Sequence, residues 1–318
     1  MDVPAGILTW LLEPENPSVR YRTLTELMSV PKDDPEVLQA RAAIQSSKPV
    51  VKIFNKMHPD GYWLHRGVGA GVGYAMSSST HFVLAYLAEL GLDNEDERVT
   101  HAVERYLGLQ QPDKPNPKPW EIPPDYRNRQ SCLYAYNLRT FILLGYRGDP
   151  RVQERVEILL NDWREDGGYL CNRSSFTTQM KSCIRGTVKA LMALAELPEL
   201  WRSERCQALV DYFLRRQVLY KSDQPGELIR GEVAVTVFPF VISASLLEPL
   251  YALSRMGYKD HPALNAAWKL LAAKRDDQGR YLLDHSRQSI FNAGPNSQPN
   301  KWVTFYAYRV LSYSDFIP

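Results

Sequence analysis

The sequence predicts an all-α protein with an (α/α)6-like toroid, in which inner and outer helices alternate. Two series of turns indicate it, because their spacings, 54 and 112 residues in the first and 106 and 111 in the second, correspond to one or two periods of about 55 residues. The first series opens at Gly91, Gly145 and Gly257. The second comprises three turns at Asp60-Gly61, Asp166-Gly167 and Asp277-Gln278-Gly279.

Each period contains two helical patterns that differ in polarity. The first is amphipathic, as in 150–163, where Asp149-Pro150 supplies a cap and a proline for the first helical position. The second is apolar nearly all round, which predicts a helix buried on every side. Outer helices are predicted in 98–109, 150–163 and 202–217. Inner helices are predicted in 17–28, 82–90, 133–144, 184–197, 241–253 and 301–311.

We expect the helix pairs to close into a single toroidal domain over 1–318. An open superhelical solenoid is the structural alternative. The chain shows no polar capping repeats, which favours closure.

Composition excludes several classes of protein. The chain has 38 Lys and Arg against 36 Asp and Glu, a net charge of +2, so it lacks the broad basic surface of a nucleic-acid-binding protein. Its apolar runs are well short of the ~20 residues that span a bilayer. The first residues lack the basic start of a signal peptide, and four cysteines are too few for a disulfide framework. We therefore expect a cytoplasmic protein without a membrane span, whose oligomeric state stays open.

The turns that precede inner helices, the repeat length and the closing segment Asn300-Lys301-Trp302-Val303-Thr304 resemble prenyltransferase/squalene-oxidase repeat proteins. That superfamily includes terpenoid cyclases and protein prenyltransferase β-subunits, and the likeness to its single-domain bacterial members runs from Pro17 to Leu311. The resemblance implies an α-α toroid that binds an isoprenoid-like molecule.

Two departures limit what the resemblance implies. The Asp-x-Asp-Asp motif with which terpenoid cyclases protonate an alkene is absent. The Asp-x-Cys zinc motif of protein prenyltransferases is replaced by Gln130-Ser131-Cys132. The resemblance therefore implies neither the alkene protonation of terpenoid cyclases nor the zinc site of protein prenyltransferases in unchanged form.

A candidate site lies where the N-termini of the inner helices meet. Helix N-termini favour anions and thiolates. We call the place where these N-termini meet the mouth. A candidate Cys₃His zinc set lies near it, formed by Cys132, Cys171, Cys183 and His81. If the protein is an enzyme, Cys132 and Cys183 would be its thiolates, with His81 as a third ligand or a base. Buried cysteines that act as small apolar fillers are the alternative.

Arg139 and Arg185 lie on inner helices that otherwise exclude charge. We expect them either to hold an anionic head group or to form a structural ion pair, for which Glu248 is a candidate partner. The glycine-rich run 67–73 lacks a phosphate-loop ending, and is a lid over the mouth or a plain connector.

Aromatic residues near the first turns of inner helices are expected to wall a cavity for a small apolar or isoprenoid-like ligand. The same rings could instead fill the centre of a non-catalytic binding scaffold. A carbohydrate-active toroid ranks lowest, because it needs paired carboxylates that face a cavity. The candidate ring residues are Tyr134, Tyr136, Phe238, Phe240, Trp302, Phe305 and Tyr306.

Overall fold

The computed structural model describes residues 3–63, 78–109, 131–170, 182–240, 243–286 and 291–313. Almost every regular element in these ranges is helical, so the predicted all-α class is confirmed. The helices are α1 Ala5–Leu11, α2 Pro17–Arg22, α3 Pro35–Gln45, α4 Lys48–Phe54, α5 Thr80–Glu89, α6 Glu97–Gly108, α7 Ser131–Phe141, α8 Pro150–Asn161, α9 Ile184–Leu194, α10 Glu204–Leu214, α11 Leu247–Arg255, α12 Asn265–Ala272 and α13 Lys301–Ser312.

The chain divides into two compact units. The first unit comprises Met1–Ser47, Leu197–Gln288 and Asn292–Pro318. It includes a short antiparallel pair of strands, β1 Leu282–Leu283 and β2 Gln298–Pro299. The second unit comprises Lys48–Glu196 and Ser289–Phe291.

Within the second unit, three buried helices pack side by side. Helix α7 contacts both α5 and α9. Every residue of α5 except Ala88 is buried, and so is every residue of α9 except Arg185. Helices α6 and α8 bury a single face, as the amphipathic patterns predict. The predicted alternation of inner and outer helices is therefore confirmed in this unit.

Both turn series adopt the backbone conformation that their glycines favour. Gly91, Gly145 and Gly257 have φ between 89° and 91°, and Gly61, Gly167 and Gly279 have φ between 78° and 85°. Residues other than glycine rarely adopt this backbone conformation. At Gly61 a Cβ atom would also lie 2.6 Å from Cδ2 of His101. The glycines within each series therefore share one backbone conformation, which allows the chain to turn at these points.

A threonine early in an inner helix anchors the residue that follows each glycine turn. The backbone N–H of Trp63 donates to Thr80 Oγ1 at 3.0 Å, and that of Tyr169 donates to Thr187 Oγ1 at 3.0 Å. The first unit repeats the contact between Tyr281 and Thr304 at 2.8 Å. Thr80, Thr187 and Thr304 follow their glycine turns by 19, 20 and 25 residues, and Thr304 was among the residues named from the sequence.

Two helix boundaries differ from prediction. Helix α11 begins at Leu247 instead of residue 241, because Pro249 lacks an N–H and is accommodated only in a first turn. The first predicted inner helix, 17–28, consists of α2 followed by a π-helical turn over Thr23–Leu27. Several residues of this segment are only half-buried, so its burial is incomplete.

Candidate functional site

The first turns of α5, α7 and α9 contain most of the predicted site residues of the second unit. His81 is the second residue of α5 and is 1% exposed, and Cys132 is the second residue of α7 and is fully buried. Cys183 is the N-cap of α9, and Arg185 is its second residue; both are half-buried. Helices α5 and α7 therefore each contribute one of these residues at their N-termini, and α9 contributes two.

A chain of ring contacts connects these helices. The His81 ring lies 4.3 Å from the Phe82 ring, and Phe82 lies 5.6 Å from Tyr136 on α7. The ammonium of Lys189 on α9 lies 5.8 Å from the centroid of the Tyr136 ring, within the range of a cation–π contact. His81, Tyr136 and Lys189 therefore belong to one buried cluster.

Lys189 is the residue of this cluster that the sequence analysis missed. It is 1% exposed, although it lies within an apolar helix. Its signal was the spacing of four residues from Arg185, which puts two basic residues on the same face of α9. Like charges in this relation repel each other, and the positive end of the helix dipole opposes both.

Two outer helices, α6 and α8, also have an arginine as their second residue. Arg98 and Arg151 are the second residues of α6 and α8, as Arg185 is of α9. Each is bound by the aspartate that caps its helix. Arg98 Nη2 lies 2.6 Å from Asp96 Oδ2, and Arg151 Nη2 lies 2.6 Å from Asp149 Oδ2.

These paired aspartates are more acidic than usual. The hydrogen bond from Arg151 lowers the pKa of Asp149, although burial opposes it. At Asp96, burial would raise the pKa, but hydrogen bonds from the Arg98 side chain and backbone outweigh it, so the pKa is lowered. In α9 the N-cap is Cys183, and its side chain makes no capping hydrogen bond.

Arg139 lies at the opposite end of its helix and binds two carboxylates. Its Nη1 lies 2.7 Å from Glu89 Oε1, and its Nε lies 3.2 Å from Glu196 Oε1. All three residues are at most 8% exposed. Of the two predicted roles for Arg139, this geometry matches the structural ion pair, with Glu89 and Glu196 as partners. Glu248 accepts a hydrogen bond from Ser245 at 3.1 Å.

The other tyrosine predicted in this unit, Tyr134, is 9% exposed. The guanidinium of Arg155, on outer helix α8, lies 5.1 Å from the centroid of its ring. Both predicted tyrosines of α7 thus contact a cation.

The predicted aromatic residues of the first unit pack against one another. Phe238 stacks on Trp302 with centroids 4.5 Å apart, and Phe240 meets Tyr306 edge-on at 4.7 Å. Phe305 also contacts Tyr306, at 5.3 Å. None of the five rings is more than 4% exposed. They form an apolar core cluster.

A buried arginine closes this cluster on one side. Arg22 Nε lies 2.6 Å from Glu26 Oε1, and Arg22 Nη1 donates to the Tyr306 hydroxyl at 2.8 Å. Arg309 Nε lies 3.3 Å from the same carboxylate. The contacts join α2 and the π-helical turn that follows it to α13, the last helix of the unit.

The predicted zinc set is not assembled by the residues that the structure describes. Among them, no group of three or more histidine, cysteine or acidic residues could hold a metal ion. Cys171 lies outside the described residues, as does the glycine-rich run 67–73. Cys206 lies on the buried face of α10, where burial raises the pKa of its thiol to about 12. It is an apolar filler, as expected for an outer helix.

Within the part of the chain that the structure describes, no helix is both long and apolar enough to cross a membrane.

No protein-family model and no curated protein matches the chain. Solved structures similar to it include a polysaccharide lyase, 14% identical, with a TM-score of 0.47 over 93% of this chain and 88% of the other. A glycosyl hydrolase family 88 protein from Bacteroides vulgatus is 13% identical, with a TM-score of 0.47 over 93% of this chain and 89% of the other.

Neither similar structure is titled as a prenyltransferase or a terpenoid cyclase; both titles name carbohydrate-processing enzymes. The expected function, a prenyltransferase-like toroid that binds a small apolar or isoprenoid-like ligand, is therefore wrong. The physical reason lies in the first unit, where rings expected to wall an apolar cavity contact one another. Of the resemblance to prenyltransferase/squalene-oxidase repeat proteins, the all-α architecture of alternating helices is what remains.

Proposed function

We propose that the protein binds a small anionic ligand, carrying a carboxylate or phosphate group, at the first two turns of α9. Arg185 and Lys189 bind the anion, and Tyr136 and His81 line the site beside it. In this proposal the helix pairs form one toroidal domain of a cytoplasmic protein, and Cys183 lies at the edge of the site.

The observation that carries the proposal is the position of Arg185. At α6 and α8 an arginine in the same position is bound by the aspartate that caps the helix. At α9 the capping residue is Cys183, which makes no capping hydrogen bond. The α9 cap is thus a neutral side chain, and Arg185 and Lys189 add two positive charges to the positive end of the helix dipole, where a bound anion is favoured.

The helix itself adds to the attraction. The N-terminus of an α-helix carries a partial positive charge, and its first amides have no partner within the helix. These amides, a guanidinium and an ammonium together form an arrangement suited to a carboxylate or a phosphate. Acidic residues would be the favoured occupants of such a turn in a helix without a ligand.

Burial gives the site a direction of approach. Arg185 is the one residue of α9 that is not buried, whereas Lys189 is enclosed one turn further along. An anion that arrives from solvent would therefore meet Arg185 first and Lys189 second. Removal from water strengthens both interactions, because charges attract more strongly in a low dielectric.

The experiment is equilibrium dialysis and calorimetry with inorganic phosphate and with citrate, at constant ionic strength. We expect Arg185→Gln and Lys189→Met each to weaken binding at this site about tenfold or more, since hydrogen bonds to charged groups are the strong ones. Arg98→Gln is the matched control, because it removes the arginine at the same position of an outer helix. The proposal fails if neither anion binds, or if all three variants bind as the wild type does.

A further inference from the structure

The N-terminus of α5 holds a buried serine whose hydroxyl makes no hydrogen bond. Ser79 is the N-cap of this ten-residue helix and is fully buried. Its side chain accepts nothing from the first-turn amides. Within the described residues its Oγ has no other partner.

A second serine shows what such a residue ordinarily does. Ser203 caps α10 with a similar backbone, φ −65° and ψ 147° against −79° and 155° for Ser79. Its Oγ accepts from the N–H of Cys206 at 3.3 Å. A capping hydroxyl normally satisfies one of the orphan amides of a helix, and a buried hydroxyl left unsatisfied is costly.

The neighbouring threonine does not replace the missing cap. Thr80 Oγ1 is engaged by the backbone of Trp63, accepting from its N–H at 3.0 Å and donating to its carbonyl at 3.2 Å. The N–H groups of Phe82 and Val83 both donate to the Ser79 carbonyl at 3.0 Å. The first-turn donor adjacent to the Ser79 hydroxyl is therefore the N–H of Thr80, whose side chain is engaged elsewhere. A helix N-terminus with a hydroxyl donor beside it suits an oxyanion.

We propose that the N-terminus of α5 is a second oxyanion-binding subsite, in which the Ser79 hydroxyl and the Thr80 N–H donate to one carboxylate or phosphate oxygen. It is separate from the Arg185 and Lys189 site on α9, since it uses hydroxyl and amide donors instead of cations. Both subsites lie at N-termini of buried helices of the second unit, so one ligand with two anionic groups or two separate anions could fill them.

The test counts bound ions by equilibrium dialysis of the intact protein against radiolabelled inorganic phosphate, repeated with acetate to separate phosphate from carboxylate. We expect two phosphate sites in the wild type, one in Ser79→Ala and two in Ser79→Thr, which restores the hydroxyl. Ser203→Ala is the matched control and should keep both sites while lowering the midpoint of thermal unfolding.

Stability separates a ligand site from an ordinary buried hydroxyl. We expect the unfolding midpoint of Ser79→Ala, measured without phosphate, to stay the same or rise, because the lost hydroxyl made no bond. The inference is overturned if Ser79→Ala keeps both sites. It is also overturned if Ser79→Ala loses stability as Ser203→Ala does, which would show a hydroxyl satisfied by an ordered water alone. Loss of one site in Arg185→Gln with the Ser79 site intact supports both proposals, whereas a wild type that binds only at Ser79 contradicts the proposed function alone.

Discussion

The first turn of α9 and the first turns of α6 and α8 treat an arginine in opposite ways. In the two outer helices the capping aspartate forms an ion pair with the arginine, which lies two residues further along the chain. In α9 the cap is a cysteine, and a second cation follows one turn later. The difference is that α6 and α8 place an aspartate and an arginine together at the helix start, whereas α9 places two cations behind a neutral cap.

Charge at the other ends of the helices supports this distinction. Basic residues occur in the last turns of α2, α4, α6, α7, α11, α12 and α13, where the helix dipole favours them. The two buried arginines among them, Arg22 and Arg139, bind carboxylates of their own unit. Helix α9 places its cations at the opposite end.

The largest expected effect is on stability, when a buried cation that binds two carboxylates is removed. Arg139→Met should lower the free energy of unfolding by about 3–5 kcal/mol, because Glu89 and Glu196 lose the guanidinium they share. Lys189→Met, if its role is to bind a ligand, should cost much less. Chemical denaturation of both variants checks this, and an equal loss in the two would remove the distinction between structural and ligand-binding cations.

A smaller effect is expected at an outer helix whose start is complete. Asp149→Ala removes both the cap of α8 and the partner of Arg151, so we expect a loss of about 1–2 kcal/mol in the free energy of unfolding. Glu154→Ala, on the exposed face of the same helix, is the control and should change it by less than about 0.5 kcal/mol. Similar losses in the two variants would mean that the Asp149 contacts add nothing.

The smallest effect is a dependence on pH. The pKa of Asp149 in the folded protein is lowered, so its contribution is fully present above its unfolded pKa of about 3.9 and is lost as the pH falls through the folded value. The difference in unfolding free energy between the wild type and Asp149→Asn should be constant above about pH 5 and shrink below about pH 4. Denaturation curves at several pH values measure it. A difference that stays constant to low pH would contradict the ion pair.

Much of the fold follows from local signals in the sequence. The glycine markers of the repeat have positive φ values, which other residues seldom adopt, and the Asp-Pro start of α8 is confirmed as a cap followed by proline. What the sequence did not reveal depends on contacts between distant segments. The sharing of Arg139 by Glu89 and Glu196, and the placement of Lys189 beside Tyr136, join three helices that are far apart in the chain.

The candidate site was predicted less well, for a physical reason. Aromatic residues near the starts of inner helices can wall a cavity or fill a core, and their spacing is the same in both cases. In the first unit the rings pack on one another and Arg22 lies over two of them, whereas in the second unit Tyr136 contacts both Phe82 and Lys189. Only the three-dimensional partners of each ring separate the two outcomes.

The central claim, that an anion binds at the start of α9, is tested most directly by giving α9 the capping residue of the outer helices. In Cys183→Asp the new carboxylate should bind Arg185 and cap the helix. The number of phosphate ions bound per chain should therefore fall by one, and the free energy of unfolding without phosphate should rise by about 1 kcal/mol. Cys183→Ser, which offers a neutral cap, should retain the phosphate ion. Undiminished phosphate binding by a stably folded Cys183→Asp variant would contradict the account.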